Sequence, residues 1–193
     1  MDNIVFQSRI RPVSPSMFNK TIKGFGEKVY VDYPWTVRES VFSEKAYTKD
    51  VFDCSVCGIT DGLKVLLLHI CPTMEENENF LKIENFIKNT IDLKNPDLQG
   101  FVLGSKKMPI VNDYSGKLFD SFVRFLKKHK IPTTELKGGL HTHNVAYSSQ
   151  TDEWLVSTPL LANEEISKSI GAKNFLDKVF DKVKISNKDE VSW

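Results

Sequence analysis

The sequence predicts an α+β fold, with a mixed, largely antiparallel, sandwich-like β-sheet and helices packed on it. Three observations predict this class. Two apolar β runs meet at Asp61-Gly62, a dipeptide typical of tight hairpin turns. Two helical patterns with one apolar face each follow, and further short β runs alternate with them. Short strands interleaved with one-faced helices are typical of an α+β domain.

The first 27 residues contain two of the prolines and two of the glycines and show little periodicity. We expect them to form an N-terminal arm with little regular structure. Lys28 to Val31 and Trp35 to Phe42 then predict two short strands, separated at Pro34 because proline disrupts strand pairing.

Val51 to Thr60 and Leu63 to Cys71 predict the two strands of a hairpin around Asp61-Gly62. A two-residue turn there sets Cys54 directly opposite His69. Directly opposed residues have Cβ atoms roughly 4.5 to 5.5 Å apart, which is within reach of a thiol-to-imidazole hydrogen bond. The turn alone therefore predicts a Cys-His pair.

The helix after the hairpin is predicted to begin at Thr73, with Glu76 completing a capping box, and to run to about Ile91. A last helical pattern runs from Asn163 to about Val183. Between them the sequence predicts a buried strand, a second helix and three further strands, over Leu98–Gly104, Ser115–His129, Thr133–Leu140, Asn144–Ser149 and Glu153–Ser157.

The composition bounds the function. A chain of 193 residues, 40% of them hydrophobic, is long enough for one sizeable core. The net charge of +1 gives no field that would attract nucleic acid or an anionic membrane, so we expect neither as a partner. No apolar run approaches the length of a membrane span, and the first residues lack the order of a signal peptide. The three cysteines are too few for a disulfide framework, which favours a reducing compartment.

Cys54, His69 and Thr48 are the candidate catalytic residues. Cysteine attacks as the thiolate, and only a few per cent of a free thiol is ionised at neutral pH, so a nucleophilic cysteine needs a base beside it. His69 is the histidine that the hairpin supplies. Thr48 precedes Cys54 by six residues, so an extended strand directs both side chains to one face. Its hydroxyl would orient the imidazole or bind the substrate.

Two metal sites compete with this interpretation. Cys54, Cys57, His69 and Cys71 are four soft ligands, but strand alternation sends Cys57 to the other face, away from a shared zinc ion. We therefore predict no metal there.

The second metal pattern is His141-Thr-His143 with Asp152 downstream, which resembles the ligand set of JAMM-type zinc isopeptidases. The gap from His143 to Asp152 is short for that pattern, and Asn144 replaces its usual proline. A zinc-dependent hydrolase through these three residues stays an alternative.

The order and spacing of Thr48, Cys54 and His69 resemble the CheD family of chemoreceptor glutamine deamidases. They also resemble the catalytic domains of the cytotoxic necrotizing factor and Burkholderia lethal factor toxins. In those families the histidine lies in an apolar-His-apolar-x-Pro setting, which here reads Leu68 to Pro72. Downstream, Glu135 to Gly139 resembles the CheD strand that ends in a Gly-Gly turn. The match covers residues 28 to about 150.

The resemblance implies a protein-glutamine deamidase without a cofactor, with Cys54 as nucleophile, His69 as base and Thr48 beside it. Its partner would be a protein presenting a Gln side chain. We expect the site's substrate-binding residues to be Gly138, Gly139, His141 and Asn144.

The implied organisation is an arm over 1–27, a catalytic domain over 28–160 and a helical segment over 161–193 packed on it. We expect a monomer that acts in a cytoplasm, its own or that of a cell into which it is delivered as an effector or toxin. The residues do not separate a deamidase from a transglutaminase or a cysteine protease. A catalytically silent binding or inhibitor module on the same scaffold is the other alternative.

One feature departs from the family. Phe52-Asp53 precedes Cys54, where those proteins carry a small, glycine-containing approach. A carboxylate directed at the thiol would disfavour the thiolate. Strand alternation predicts that Asp53 points away from it.

Overall fold

The computed structural model describes residues 8–26, 41–71, 77–104, 114–138, 142–158 and 180–185. They form two sheets stacked on each other, with helices on both outer faces. In chain order the elements are β1 (Arg9–Val13), α1 (Pro15–Ile22), β2 (Val41–Ser43), β3 (Lys45–Val51), β4 (Ser55–Thr60), β5 (Val65–Ile70), α2 (Asn77–Thr90), β6 (Gln99–Gly104), α3 (Tyr114–Lys128), β7 (Thr133–Gly138), β8 (His143–Ser148), β9 (Glu153–Ser157) and β10 (Phe180–Ile185).

The smaller sheet has the strand order β1-β9-β8-β3, and the larger has the order β10-β7-β6-β4-β5-β2. Within these sheets the pairs β1/β9 and β6/β7 are parallel, and the others are antiparallel. The predicted α+β class, with mixed, mostly antiparallel sheets and packed helices, is confirmed. The chain passes from the larger sheet to the smaller between β2 and β3, and returns before β4.

The main core lies between the two sheets. Trp154 from β9 stacks on Phe101 from β6, with ring centroids 4.5 Å apart, and also contacts Tyr147. A Cβ atom at Gly58 would lie 2.1 Å from the Trp154 ring. The absence of a side chain at this position of β4 therefore makes room for the indole, and the two sheets close on each other.

Two further cores cover the outer faces of the sheets. The apolar faces of α2 and α3 pack on the larger sheet, as the helical spacing predicts, through Ile83, Ile87, Ile91, Leu118, Phe119, Phe122 and Leu126. On the smaller sheet, α1 places Phe18 and Ile22 against Ala146 and Leu155. No helix among the described residues is long and apolar enough to span a membrane.

The N-terminal prediction is wrong for residues 9–22, which form a strand and a helix rather than an irregular arm. Ser14 caps α1 by accepting a hydrogen bond from the Met17 amide, and Pro15 occupies the first turn, where its missing N–H costs nothing. β1 is held by parallel pairing with β9, from Arg9 opposite Glu153 to Val13 opposite Ser157. That pairing is distant in sequence, so local periodicity did not reveal it.

The predicted C-terminal helix is wrong over residues 180–183, because residues 180–185 form β10 and pair antiparallel with β7. The remainder of that prediction, residues 163–179, lies outside the described residues. So do the predicted cap at Thr73 and Glu76, the strand over Lys28–Val31 and residues 35–40 of the next predicted strand.

Candidate functional site

A group of polar side chains is buried between the two sheets. Thr48, Cys54, His69 and His143 are exposed by only 0, 1, 1 and 2%, respectively. Burying polar groups costs free energy unless they are hydrogen-bonded, so such a group within an apolar core is a candidate functional site.

Thr48 and His69 form the best-defined contact of the site. Thr48 Oγ1 and His69 Nδ1 are 2.7 Å apart, a normal length for a strong hydrogen bond. Thr48 lies on β3 of the smaller sheet and His69 on β5 of the larger one, so this hydrogen bond joins the two sheets. It fixes the orientation of the imidazole ring, as the third group of a catalytic triad does.

The structure places Cys54 on the same sheet face as His69 but not directly opposite it. His69 is the Cα partner of Val56, and Ser55 is the partner of Ile70. Cys54 and Val56 share the core between the sheets, with Val65 and Leu67 of β5, whose alternation also directs His69 there. Cys54 is therefore the diagonal neighbour of His69, a position typically about 7 to 8 Å away between Cα atoms.

The predicted two-residue turn is wrong, and this explains the shifted register. The hairpin loop runs from Asp61 to Lys64, and the Asp61 amide donates a hydrogen bond of 3.4 Å to the Lys64 carbonyl oxygen. The Asp61 carboxylate accepts hydrogen bonds from the amides of Leu63 and Lys64, and Gly62 adopts a positive φ of 83°. The side chain of Asp61 thus stabilises a longer loop. The shift is two residues, so the faces of the strands are unchanged.

The backbone of Cys54 lies in close contact with Gly104, the last residue of β6. A Cβ atom on Gly104 would lie 2.9 Å from the Cys54 carbonyl oxygen and 2.7 Å from the Ser55 Oγ atom. Gly104 also has a φ of 153°, which favours glycine. This close approach fixes the start of β4, and with it the position of the thiol.

Asp53 contradicts the prediction made from strand alternation. Its Oδ1 atom accepts a hydrogen bond from Cys54 Sγ at 3.6 Å. Residues 52–54 form bends that precede β4, so the alternation of a regular strand does not apply to them. Asp53 and Phe52 are exposed, whereas Cys54 is buried. A surface carboxylate therefore covers the buried thiol.

Of the predicted substrate-binding residues, the structure describes Asn144 and Gly138. Asn144 accepts a hydrogen bond from the Asp50 amide at 3.0 Å and is half-buried. Gly138 ends β7 and pairs with Phe180. Gly139 and His141 lie outside the described residues.

The sequence predictions assigned His143 no catalytic role. It alternates with Val145 and Tyr147, which face the core between the sheets, so His143 is directed to the interior on the same side as Thr48. The signal that would have found it was the alternation of β8 itself.

In each of the two candidate metal sites, the structure places proposed ligands apart from one another. Cys57 packs among the apolar residues beneath α2 and α3, on the sheet face opposite Cys54, as strand parity predicts, and burial raises the pKa of its thiol. His143 is the first residue of β8, whereas Asp152 lies beyond the last one. At the usual rise per residue of a strand, the two ends of β8 are about 16 Å apart. Asp152 instead accepts hydrogen bonds from Tyr147 and Ser8. Within the described ranges, no three His, Cys, Asp or Glu side chains are placed to hold a metal ion.

No protein-family profile matches the chain, and no curated protein matches it at a significant level.

Proposed function

We propose that the protein is a protein-glutamine deamidase, with Cys54 as nucleophile, His69 as general base and Thr48 as the residue that orients the imidazole. The observation that carries the proposal is the buried 2.7 Å hydrogen bond between Thr48 and His69, with Cys54 on the same inner face. A nucleophile, a base and a third group that orients the base are the usual parts of nucleophilic catalysis.

The reaction uses the two ring nitrogens differently. In the proposed tautomer His69 carries its proton on Nδ1 and donates it to Thr48 Oγ1, 2.7 Å away, which leaves Nε2 to take the thiol proton of Cys54. The thiolate attacks the carboxamide carbon of a glutamine side chain, and the resulting oxyanion is held by backbone N–H groups near Cys54. Collapse of this intermediate breaks the C–N bond. His69 returns the proton, ammonia leaves, and a thioester remains.

Water completes the turnover. His69 removes a proton from a water molecule that attacks the thioester carbonyl, and collapse releases glutamate and regenerates the Cys54 thiol. If a lysine amine attacked in place of water, the same thioester would yield a cross-link. The resemblance of Thr48, Cys54 and His69 to the CheD and necrotizing factor pattern favours the glutamine amide as substrate. The three cysteines are not joined in disulfides, which supports action in a reducing cytoplasm, either the producing cell's own or that of a target cell.

A binding module without turnover is the second candidate, and two observations favour it. The Asp53 carboxylate accepts the thiol's hydrogen bond, and the thiol is only 1% exposed. Both features disfavour attack by the resting thiol on a substrate.

Mass spectrometry of candidate partner proteins separates the two functions. We expect wild-type protein to produce a mass gain of about 1 Da at a glutamine, because an amide NH₂ is exchanged for OH. Cys54→Ser should leave the partners unchanged, and Cys71→Ser is the matched control, since it alters another buried cysteine. Identical partner masses with wild-type protein and Cys54→Ser would end the deamidase proposal and favour the binding module.

A further inference from the structure

The contact between Asp53 and Cys54 brings a surface charge to a buried nucleophile. The Asp53 Oδ1 atom lies 3.6 Å from Cys54 Sγ, and the Asp53 side chain is exposed while the thiol is buried. Phe52 beside it is 44% exposed. A group that approaches the thiol past this bend therefore meets the Asp53 carboxylate next to the sulfur atom.

An ionised carboxylate only accepts hydrogen bonds. An incoming carboxamide has two N–H donors, so it can replace the thiol as the hydrogen-bond donor to the Asp53 oxygen. An incoming carboxylate has no donor and carries the same charge, so it is repelled. The chemistry beside the sulfur atom thus distinguishes an amide from an acid of the same shape.

We propose that Asp53 is the residue that selects a carboxamide over a carboxylate at the Cys54 thiol. This inference rests on the proposed function and deepens it, because glutamine is the substrate of that reaction and glutamate is its product. On binding, the substrate amide donates to Asp53 and releases the thiol proton to His69. After hydrolysis, the new carboxylate faces the Asp53 charge and leaves.

Two alkylating reagents of nearly equal shape test this selection directly. Iodoacetamide carries a carboxamide and iodoacetate carries a carboxylate. Each forms an S–C bond at the thiolate and expels iodide. The labelling rate of Cys54 is measured for both by peptide mass spectrometry, and their ratio is compared with that of N-acetylcysteine amide, a thiol with no charged group beside the sulfur atom. Any effect of Asp53 on the amount of thiolate is common to both reagents and cancels in the ratio.

We expect the iodoacetamide-to-iodoacetate ratio at Cys54 to exceed that of N-acetylcysteine amide by about fivefold, the size expected for one solvent-screened charge contact near 4 Å. In Asp53→Asn the ratio should fall to within about twofold of N-acetylcysteine amide, and Asp53→Glu should retain selection. Asp50→Asn is the matched control, because Asp50 is exposed and its positive φ of 58° is one that asparagine tolerates. That variant should keep the wild-type ratio.

A wild-type ratio equal to that of N-acetylcysteine amide would overturn the proposal. An unchanged ratio in Asp53→Asn, or no labelling of Cys54 in either protein, would do the same. Cys57 serves as an internal indicator of folding, because it is fully buried on the other sheet face. If Cys57 becomes labelled in Asp53→Asn, the altered ratio at Cys54 results from lost packing, and this outcome would also overturn the proposal.

The test is independent of turnover. A selective ratio without any mass gain on partner proteins would retain Asp53 as the selecting residue and remove the deamidase function. A mass gain without a selective ratio would retain the function and remove the role of Asp53.

Discussion

Thr48 and His69 join the two sheets of the sandwich through a hydrogen bond of 2.7 Å that is closed off from solvent. β3 carries the threonine and β5 the histidine, so the orientation of the imidazole depends on how the sheets stack. The stability of the domain and the geometry of the site are therefore coupled at this contact.

Replacing Thr48 with valine tests that coupling. Thr48→Val preserves the shape of the side chain but removes the hydroxyl from a buried ring nitrogen, and we expect a loss of about 1 to 3 kcal/mol in the free energy of unfolding. Urea denaturation measures it. Thr48→Val should also slow the labelling of Cys54 by iodoacetamide. Thr48→Ser is the control, because it retains the hydroxyl, and Cys54 in this variant should be labelled at the wild-type rate. Equal labelling rates in the two variants would show that the hydroxyl does not position His69.

Gly104 offers a test of how the backbone positions the thiol. In Gly104→Ala the new Cβ would meet the Cys54 carbonyl oxygen at 2.9 Å, at a φ that disfavours a side chain. We expect a loss of about 1 to 3 kcal/mol in stability and slower labelling of Cys54, because β4 must shift. Gly24→Ala, whose nearest contact would be an ordinary 3.5 Å, should change stability by less than about 0.5 kcal/mol. Similar stability for both variants would contradict the close approach.

Alkaline unfolding should report on Tyr147. Burial raises the pKa of its hydroxyl, which also donates to Asp152 at 2.8 Å. The unfolded chain ionises this group near its ordinary value of about 10, while the folded chain keeps it protonated. The unfolded state therefore binds fewer protons, and stability falls as pH rises above about 10.

Comparing wild type with Tyr147→Phe isolates this contribution, since the other titrating groups, including the buried Cys57 thiol, are common to both. The unfolding free energy of the wild type should fall more steeply between pH 10 and 11, by up to about 1.4 kcal/mol per pH unit. At pH 7 the variant should be the less stable protein, because it loses the hydrogen bonds to Thr60 and Asp152. Parallel pH dependences would be the contrary result.

Local patterns predicted the hairpin and two of the three described helices, because apolar periodicity and the Asp61-Gly62 signal act over a few residues. The face shared by Cys54 and His69 was also predictable, since a register shift of two residues preserves it. Thr48 contacts His69, but not for the reason that its spacing from Cys54 suggested. It reaches His69 from the opposite sheet, across a stacking that no short spacing encodes.

The errors have a common physical cause. β1 and β10 exist through pairing with strands distant in sequence, β9 and β7, so their own periodicity was a poor guide. The predicted direction of the Asp53 side chain was wrong because the chain bends before β4, and side chains in a bend do not alternate as they do in a strand. Bends and long-range pairings of this kind depend on tertiary contacts rather than on local propensity.

The most direct test of the central claim is the rate at which iodoacetamide labels Cys54 at pH 6 with and without the imidazole of His69. At this pH a free thiol is almost entirely protonated, so rapid labelling requires a base beside the sulfur atom. Wild-type Cys54 should react faster than N-acetylcysteine, and His69→Ala should lose that advantage. His129→Ala, in the turn that follows α3 on the outer face of the larger sheet, should react like wild type. Equal rates in wild type and His69→Ala would contradict the catalytic pair.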